Sequence, residues 1–116
     1  MRTIDELQAE IDEARAAIEG DDSLDGLDAS WAQGMLAGFE QGQQLVRDGK
    51  TSAEIAAWAA AQDAAYVSVG NDRADVWQSG YTAALDWVGE QFDWQGGNPV
   101  YREGNRFGMP AGSRGD

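Results

Sequence analysis

Trp31-Ala32-Gln33-Gly34-Met35-Leu36-Ala37 returns 46 positions on as Trp77-Gln78-Ser79-Gly80-Tyr81-Thr82-Ala83. Both stretches read W-x-x-G-x-x-A. Upstream of each lies a second shared segment, Thr3-Ile4-Asp5-Glu6-Leu7-Gln8-Ala9 and Thr51-Ser52-Ala53-Glu54-Ile55-Ala56-Ala57, both T-x-x-E-[L/I]-x-A and 48 positions apart. A repeat of this length is one helical hairpin, which cannot bury its apolar face alone and needs its copy. The pattern predicts an all-α fold: a four-helix bundle over residues 1–92 built from two helical-hairpin repeats (3–48 and 51–92), then an extended, Gly-rich C-terminal arm over 93–116.

Each helix has its own signature. Thr3 and Glu6 form a capping box, and Ile4, Leu7, Ile11, Ala14 and Ile18 follow at steps of three and four, a narrow seam on a charged helix that ends at Gly20. The second helix is expected to start after Asp28 or Ser30 and run to Asp48. Gly34, Gly38 and Gly42 recur along it at every fourth position. A glycine inside a helix costs ~1 kcal/mol relative to alanine, so three in register point to close packing, with Gly80, Trp31 and Trp77 as the expected partners. Thr51 and Glu54 cap the third helix, which is expected to reach Gly70. Asp72 or Asp75 is expected to cap the fourth, which runs to about Phe92. Its polar strip is Asp75, Ser79, Thr82, Asp86 and Glu90.

Beyond Asp93, Gln95-Gly96-Gly97-Asn98-Pro99 breaks any helix. Trp94, Val100, Tyr101, Phe107 and Met109 punctuate an otherwise Gly- and Asn-rich strip. Pure linkers lack such aromatics, so the arm is expected to dock, adding contacts to a helical part that folds without it.

Composition excludes several functions. The chain has no cysteine and no histidine, hence no disulfide or thiolate chemistry and neither the commonest general base nor the commonest transition-metal ligand. Net charge is -13. Asp93, Glu103 and Asp116 balance Arg102, Arg106 and Arg114, so the excess sits on residues 1–92. Such a surface repels nucleic-acid phosphates and anionic membranes and suits a basic protein partner or simple solubility; self-association is expected instead from the arm, the glycine ridge and the thin seam of the first helix. A genome rich in G and C, or adapted to salt, produces the same bias without functional demand. No apolar run is long enough to span a bilayer and no signal-peptide pattern follows Met1, so the expected location is the cytoplasm of a host cell or a virion.

The loop Asp21-Asp22-Ser23-Leu24-Asp25-Gly26-Leu27-Asp28 places Asp21, Ser23, Asp25 and Gly26 where an EF-hand has three oxygen ligands and its glycine. Asp28 stands where that loop is apolar, and its twelfth position, which needs a bidentate glutamate, is Ala32. The expectation is a helix–helix turn rich in capping residues, without metal or cofactor. No pair of carboxylates stands out for acid–base work, so no catalytic residue is assigned. Trp31 and Trp77, equivalent in the two repeats, are expected in the core. Trp58 and Trp94 lie outside the repeated blocks. With Tyr101 and Phe107 they are the candidate partner-binding aromatics, with core burial as the competing expectation.

The segment Trp77-Gln78-Ser79-Gly80-Tyr81-Thr82-Ala83-Ala84-Leu85-Asp86-Trp87-Val88 resembles a helix type of small helical proteins from phages of GC-rich bacteria. The resemblance covers a tenth of the chain and implies an origin, not an activity. The function expected is that of a small non-enzymatic assembly or structural component acting as an oligomer. The alternative is an acidic nucleic-acid mimic that blocks a basic host defence protein.

Overall fold

The computed structural model describes residues 2–20 and 26–114. Four helices, α1 (Ile4–Gly20), α2 (Gly26–Arg47), α3 (Ser52–Ala65) and α4 (Asp72–Val88), are followed by two strands, β1 (Phe92–Gln95) and β2 (Asn98–Tyr101). α2 and α4 form the central pair, with α1 against α2 and α3 against α4. The core is Leu7, Ile11, Phe39, Leu45, Ile55, Ala59, Ala84, Leu85, Trp87, Val88 and Phe92.

Local chemistry starts three of the helices. The Glu6 amide donates to Thr3 Oγ1 at 3.1 Å and the Thr3 amide to Glu6 Oε1 at 3.4 Å. Thr51 and Glu54 repeat the exchange at 3.2 and 3.1 Å. Each such box satisfies two amides that a helix start leaves orphaned. At α4 the cap is Asn71, whose Oδ1 accepts from the amides of Arg73 and Ala74. This corrects the expectation of Asp72 or Asp75. Asp75 instead accepts from the Tyr66 hydroxyl at 2.6 Å and the Ser68 hydroxyl at 2.8 Å. Those bonds belong to an extended turn, and α3 stops at Ala65, short of Gly70, because Tyr66 is already extended (φ -76°, ψ 130°).

α1 buries only Leu7 and Ile11, on the seam expected of it. Burying each such side chain stabilises by ~1.5–3 kcal/mol. The buried Gln43 of α2 adds a polar tie, donating to the Ile4 carbonyl at 3.3 Å and to Gln8 Oε1 at 3.0 Å.

The glycines of α2 face α4. A β-carbon on Gly34 would collide with the Trp77 carbonyl, and one on Gly38 with the Tyr81 carbonyl and, at 2.7 Å, the Ala84 methyl. Gly42 faces Val88. Reciprocally, a β-carbon on Gly80 would lie 2.5 Å from the Trp31 carbonyl. The two helices therefore run parallel, and each W-x-x-G presents its tryptophan carbonyl to the other's glycine.

The extended arm is corrected. α4 ends at Val88, before Phe92. Glu90 then takes a left-handed conformation (φ 60°), and the Gln91 amide bonds back to the Asp86 carbonyl at 2.9 Å. Phe92 opens an antiparallel hairpin with Phe92 opposite Tyr101 and Trp94 opposite Pro99. Its two-residue turn is Gly96-Gly97, with φ of 57° and 82°, the positive values that a tight hairpin of this kind requires. Phe92 enters the core, and Trp94 and Tyr101 pack against it. The fold is thus four helices with a small sheet rather than helices alone. The chain then returns beside β2, the Gly112 amide donating to the Tyr101 carbonyl at 2.8 Å and the Tyr101 amide to the Ser113 carbonyl at 3.1 Å.

Candidate functional site

An open cleft of about 560 Å³ lies where the hairpin meets the helices. α2 contributes Trp31, α4 contributes Ser79, Thr82 and Asp86, and α3 contributes Asp63. The hairpin adds Phe92, Trp94, Pro99 and Tyr101, and the following loop adds Arg106 and Phe107. That loop is organised by the buried Asn105. Its Nδ2 donates to the carbonyls of Arg102 and Met109, while its Oδ1 accepts from the amides of Phe107 and Met109.

Arg106 is the polar centre of the cleft. Its Nε donates to Asp86 Oδ1 and its Nη2 to Asp86 Oδ2, both at 2.7 Å, and Nη2 also reaches Asp63 Oδ2 at 2.7 Å. Asp86, read from the sequence as part of the polar strip of α4, is only 2% exposed. Burial pushes its carboxyl above the ordinary value, and the Arg106 contacts oppose that rise. The same contacts raise the guanidinium, holding it protonated. The two short bonds form a fork–fork pair between guanidinium and carboxylate. Two further arginines fasten the hairpin. Arg102 Nε donates to Asp93 Oδ2 at 2.7 Å and also pairs with Glu90. Arg2 Nη2 reaches Asp93 Oδ1 at 2.8 Å. The Arg102 bonds, then Arg2, hold the Asp93 carboxyl below its usual value.

A second hollow of about 230 Å³ adjoins the first. Trp31 and Trp94 line both. Met35, Phe39 and the alanines Ala14, Ala17 and Ala32 form its apolar surface, and Glu10 and Glu13 of α1 border it. Burial, then the Glu13 charge, raises the Glu10 carboxyl, with Arg2 acting against them.

The candidates fall into groups. Trp94, Tyr101 and Phe107 come together in the cleft with Trp31. Trp58 does not join them; it is exposed on α3 and borders a separate hollow with Leu45, Lys50 and Glu54. Core placement of Trp31 and Trp77 is corrected. Both are 36% exposed, because their backbone carbonyls, not their rings, meet the glycines. The Trp77 ring stacks on Tyr81 at 5.2 Å. The tryptophan in the core is Trp87, edge-on to Phe39 at 5.8 Å, with the Arg2 guanidinium 4.0 Å from its centroid.

Asp28 is exposed in the first turn of α2, while Asp21, Ser23 and Asp25 lie outside the described residues. Among the described residues no three His, Cys, Asp or Glu stand together as a metal site, and no helix is long and apolar enough to cross a membrane. Sequence reasoning missed Asp86, Asp63, Arg106, Glu10 and Glu13. The signal for Asp86 was its place beside Leu85, Trp87 and Val88 in the most apolar stretch of α4. No family model, curated protein or solved structure matches the chain.

Proposed function

We propose that this chain is a non-enzymatic protein-interaction protein, an assembly or structural component that works as an oligomer on a frame of two helical-hairpin repeats. The observation that carries the reading is the open cleft in which Trp31, Trp94, Tyr101 and Phe107 meet. Part-exposed aromatics gathered in one concavity with a polar border are the material of interface cores. Both carboxylates there are held by Arg106, so the cleft offers contact area rather than a free acid–base pair. The reciprocal W-x-x-G contact between α2 and α4 supports the two-repeat frame. The resemblance of Trp77–Val88 to phage helices favours a phage-encoded component, working in the host cytoplasm or the virion.

Light scattering on the eluting protein tests this. The expected result is a species larger than the 12.5 kDa monomer. Trp31→Ala with Phe107→Ala should reduce it to monomer with unchanged helical circular dichroism. A wild-type monomer at high micromolar concentration overturns the oligomer. One observation favours the second reading, the nucleic-acid mimic: α1 carries Asp5, Glu6, Glu10, Asp12, Glu13 and Glu19 against Arg15 alone. A monomer that captures basic DNA-binding proteins selects that reading.

A further inference from the structure

We infer that the hollow between α1, α2 and β1 seats the cationic side chain, lysine or arginine, of a basic segment of a partner protein. The inference rests on the protein-interaction reading and gives it a chemistry. At about 230 Å³ the hollow suits one extended side chain. Trp31, Trp94, Met35 and Phe39 line it, together with Glu10 and Glu13. An aliphatic stem can lie on that apolar surface while its charged head meets carboxylates and ring faces.

Three observations point to a cation rather than an apolar group. Neither Glu10 nor Glu13 has an ion pair or hydrogen bond among the described residues, although Glu10 is only part-exposed. Burial, then repulsion by Glu13, raises the Glu10 carboxyl even with the Arg2 charge opposing them, and a bound cation adds to that opposition. The chain also uses the same chemistry within itself twice. Arg106 lies 4.3 Å from the Phe107 centroid while bonding Asp86 and Asp63. Arg2 lies 4.0 Å from the Trp87 centroid while bonding Asp93. In the hollow, aromatic residues and carboxylates stand together, and the seated cation is supplied from outside. A net charge of -13 brings such a partner in.

The test is a titration with the peptide acetyl-Gly-Ala-Arg-Ala-Gly-amide, followed through the indole N–H signals of the full chain in nuclear magnetic resonance. Peptides with citrulline or norleucine in place of arginine are the controls. Saturable shifts are expected at Trp31 and Trp94, none at Trp58, with citrulline and norleucine about fivefold weaker or worse. Glu10→Gln and Glu13→Gln, which keep the size of each side chain and remove its charge, should each weaken arginine binding about threefold with the helical circular dichroism unchanged. Equal binding of norleucine assigns the hollow to an apolar occupant and overturns the proposal, and equal shifts at Trp58 reduce it to diffuse attraction and do the same. Light scattering separates this from the broader reading. A monomer that binds the arginine peptide keeps the seat and loses the oligomer, whereas an oligomer that ignores the peptide loses the seat alone.

Discussion

Replacing Gly38 with alanine sets two known effects against each other. In an isolated helix the change gains ~1 kcal/mol. Here the new methyl collides with the Tyr81 carbonyl and comes within 2.7 Å of the Ala84 β-carbon. Overpacking typically costs ~1–3 kcal/mol. The upper end applies, since one obstacle is backbone and the other has no rotamer to change. The net expectation is a loss of about 2 kcal/mol, or roughly 8 °C in melting temperature for a chain of this size. Gly20→Ala is the control, because nothing lies within 4 Å of a β-carbon there. It should hold the melting temperature or raise it. Thermal and urea unfolding followed by circular dichroism at 222 nm measures both. Gly80→Ala, facing the Trp31 carbonyl, should lose a similar amount. If Gly38→Ala melts at or above the wild type, the helices have room to spare and the close-packing argument is wrong.

Arg106→Met leaves the Asp86 carboxylate buried without its cation and should cost about 3 kcal/mol in urea unfolding; adding Asp86→Leu should recover most of that, and an additive double mutant refutes the coupling. Removing residues 95–116 takes away the same arginine together with Tyr101, so helicity should melt well below the wild type rather than persist. On acidification, Asp93 contributes stability above its unfolded value of 3.8 and loses it as pH falls through its lower folded value; Trp94 fluorescence should report hairpin release in that window, and Asp93→Asn should abolish the step. Millimolar calcium should leave the melting temperature unchanged, since Ala32 stands where the closing carboxylate is needed; a saturable rise removed by Asp21→Ala refutes this.

What was legible in the sequence is what short-range chemistry writes there. The boxes at Thr3–Glu6 and Thr51–Glu54 are complete within four residues, so two helix starts could be read directly. Gly34, Gly38 and Gly42 were legible as a packing face because their cost inside a helix demands compensation. The orientation of Trp31 and Trp77 was not legible. A repeated tryptophan marks a contact without saying whether its ring or its carbonyl makes it. The hairpin had a signal that the glycine and asparagine content obscured: Gly96-Gly97 flanked by Phe92 and Trp94 on one side and Val100 and Tyr101 on the other. The ion pair of Asp86 with Arg106 spans 20 positions. Only the fold brings those residues together, so the pairing had no local signature, although the place of Asp86 among Leu85, Trp87 and Val88 marked its burial.

The inward use of arginine has a consequence for how the molecule responds to ionic strength. Among the described residues, Arg2, Arg15, Lys50, Arg102 and Arg106 each engage a carboxylate. Asp5, Glu13, Glu19, Asp28, Asp72 and Glu103 remain exposed with no ion pair among those residues. Two copies therefore approach as like charges, across a screening length of ~10 Å at 0.1 M salt and ~3 Å at 1 M. Added salt must then strengthen contact between copies and weaken attachment of a basic segment. The sign of that one slope, measured on whatever complex the protein forms, tells whether the other half of the interface is itself or something of opposite charge.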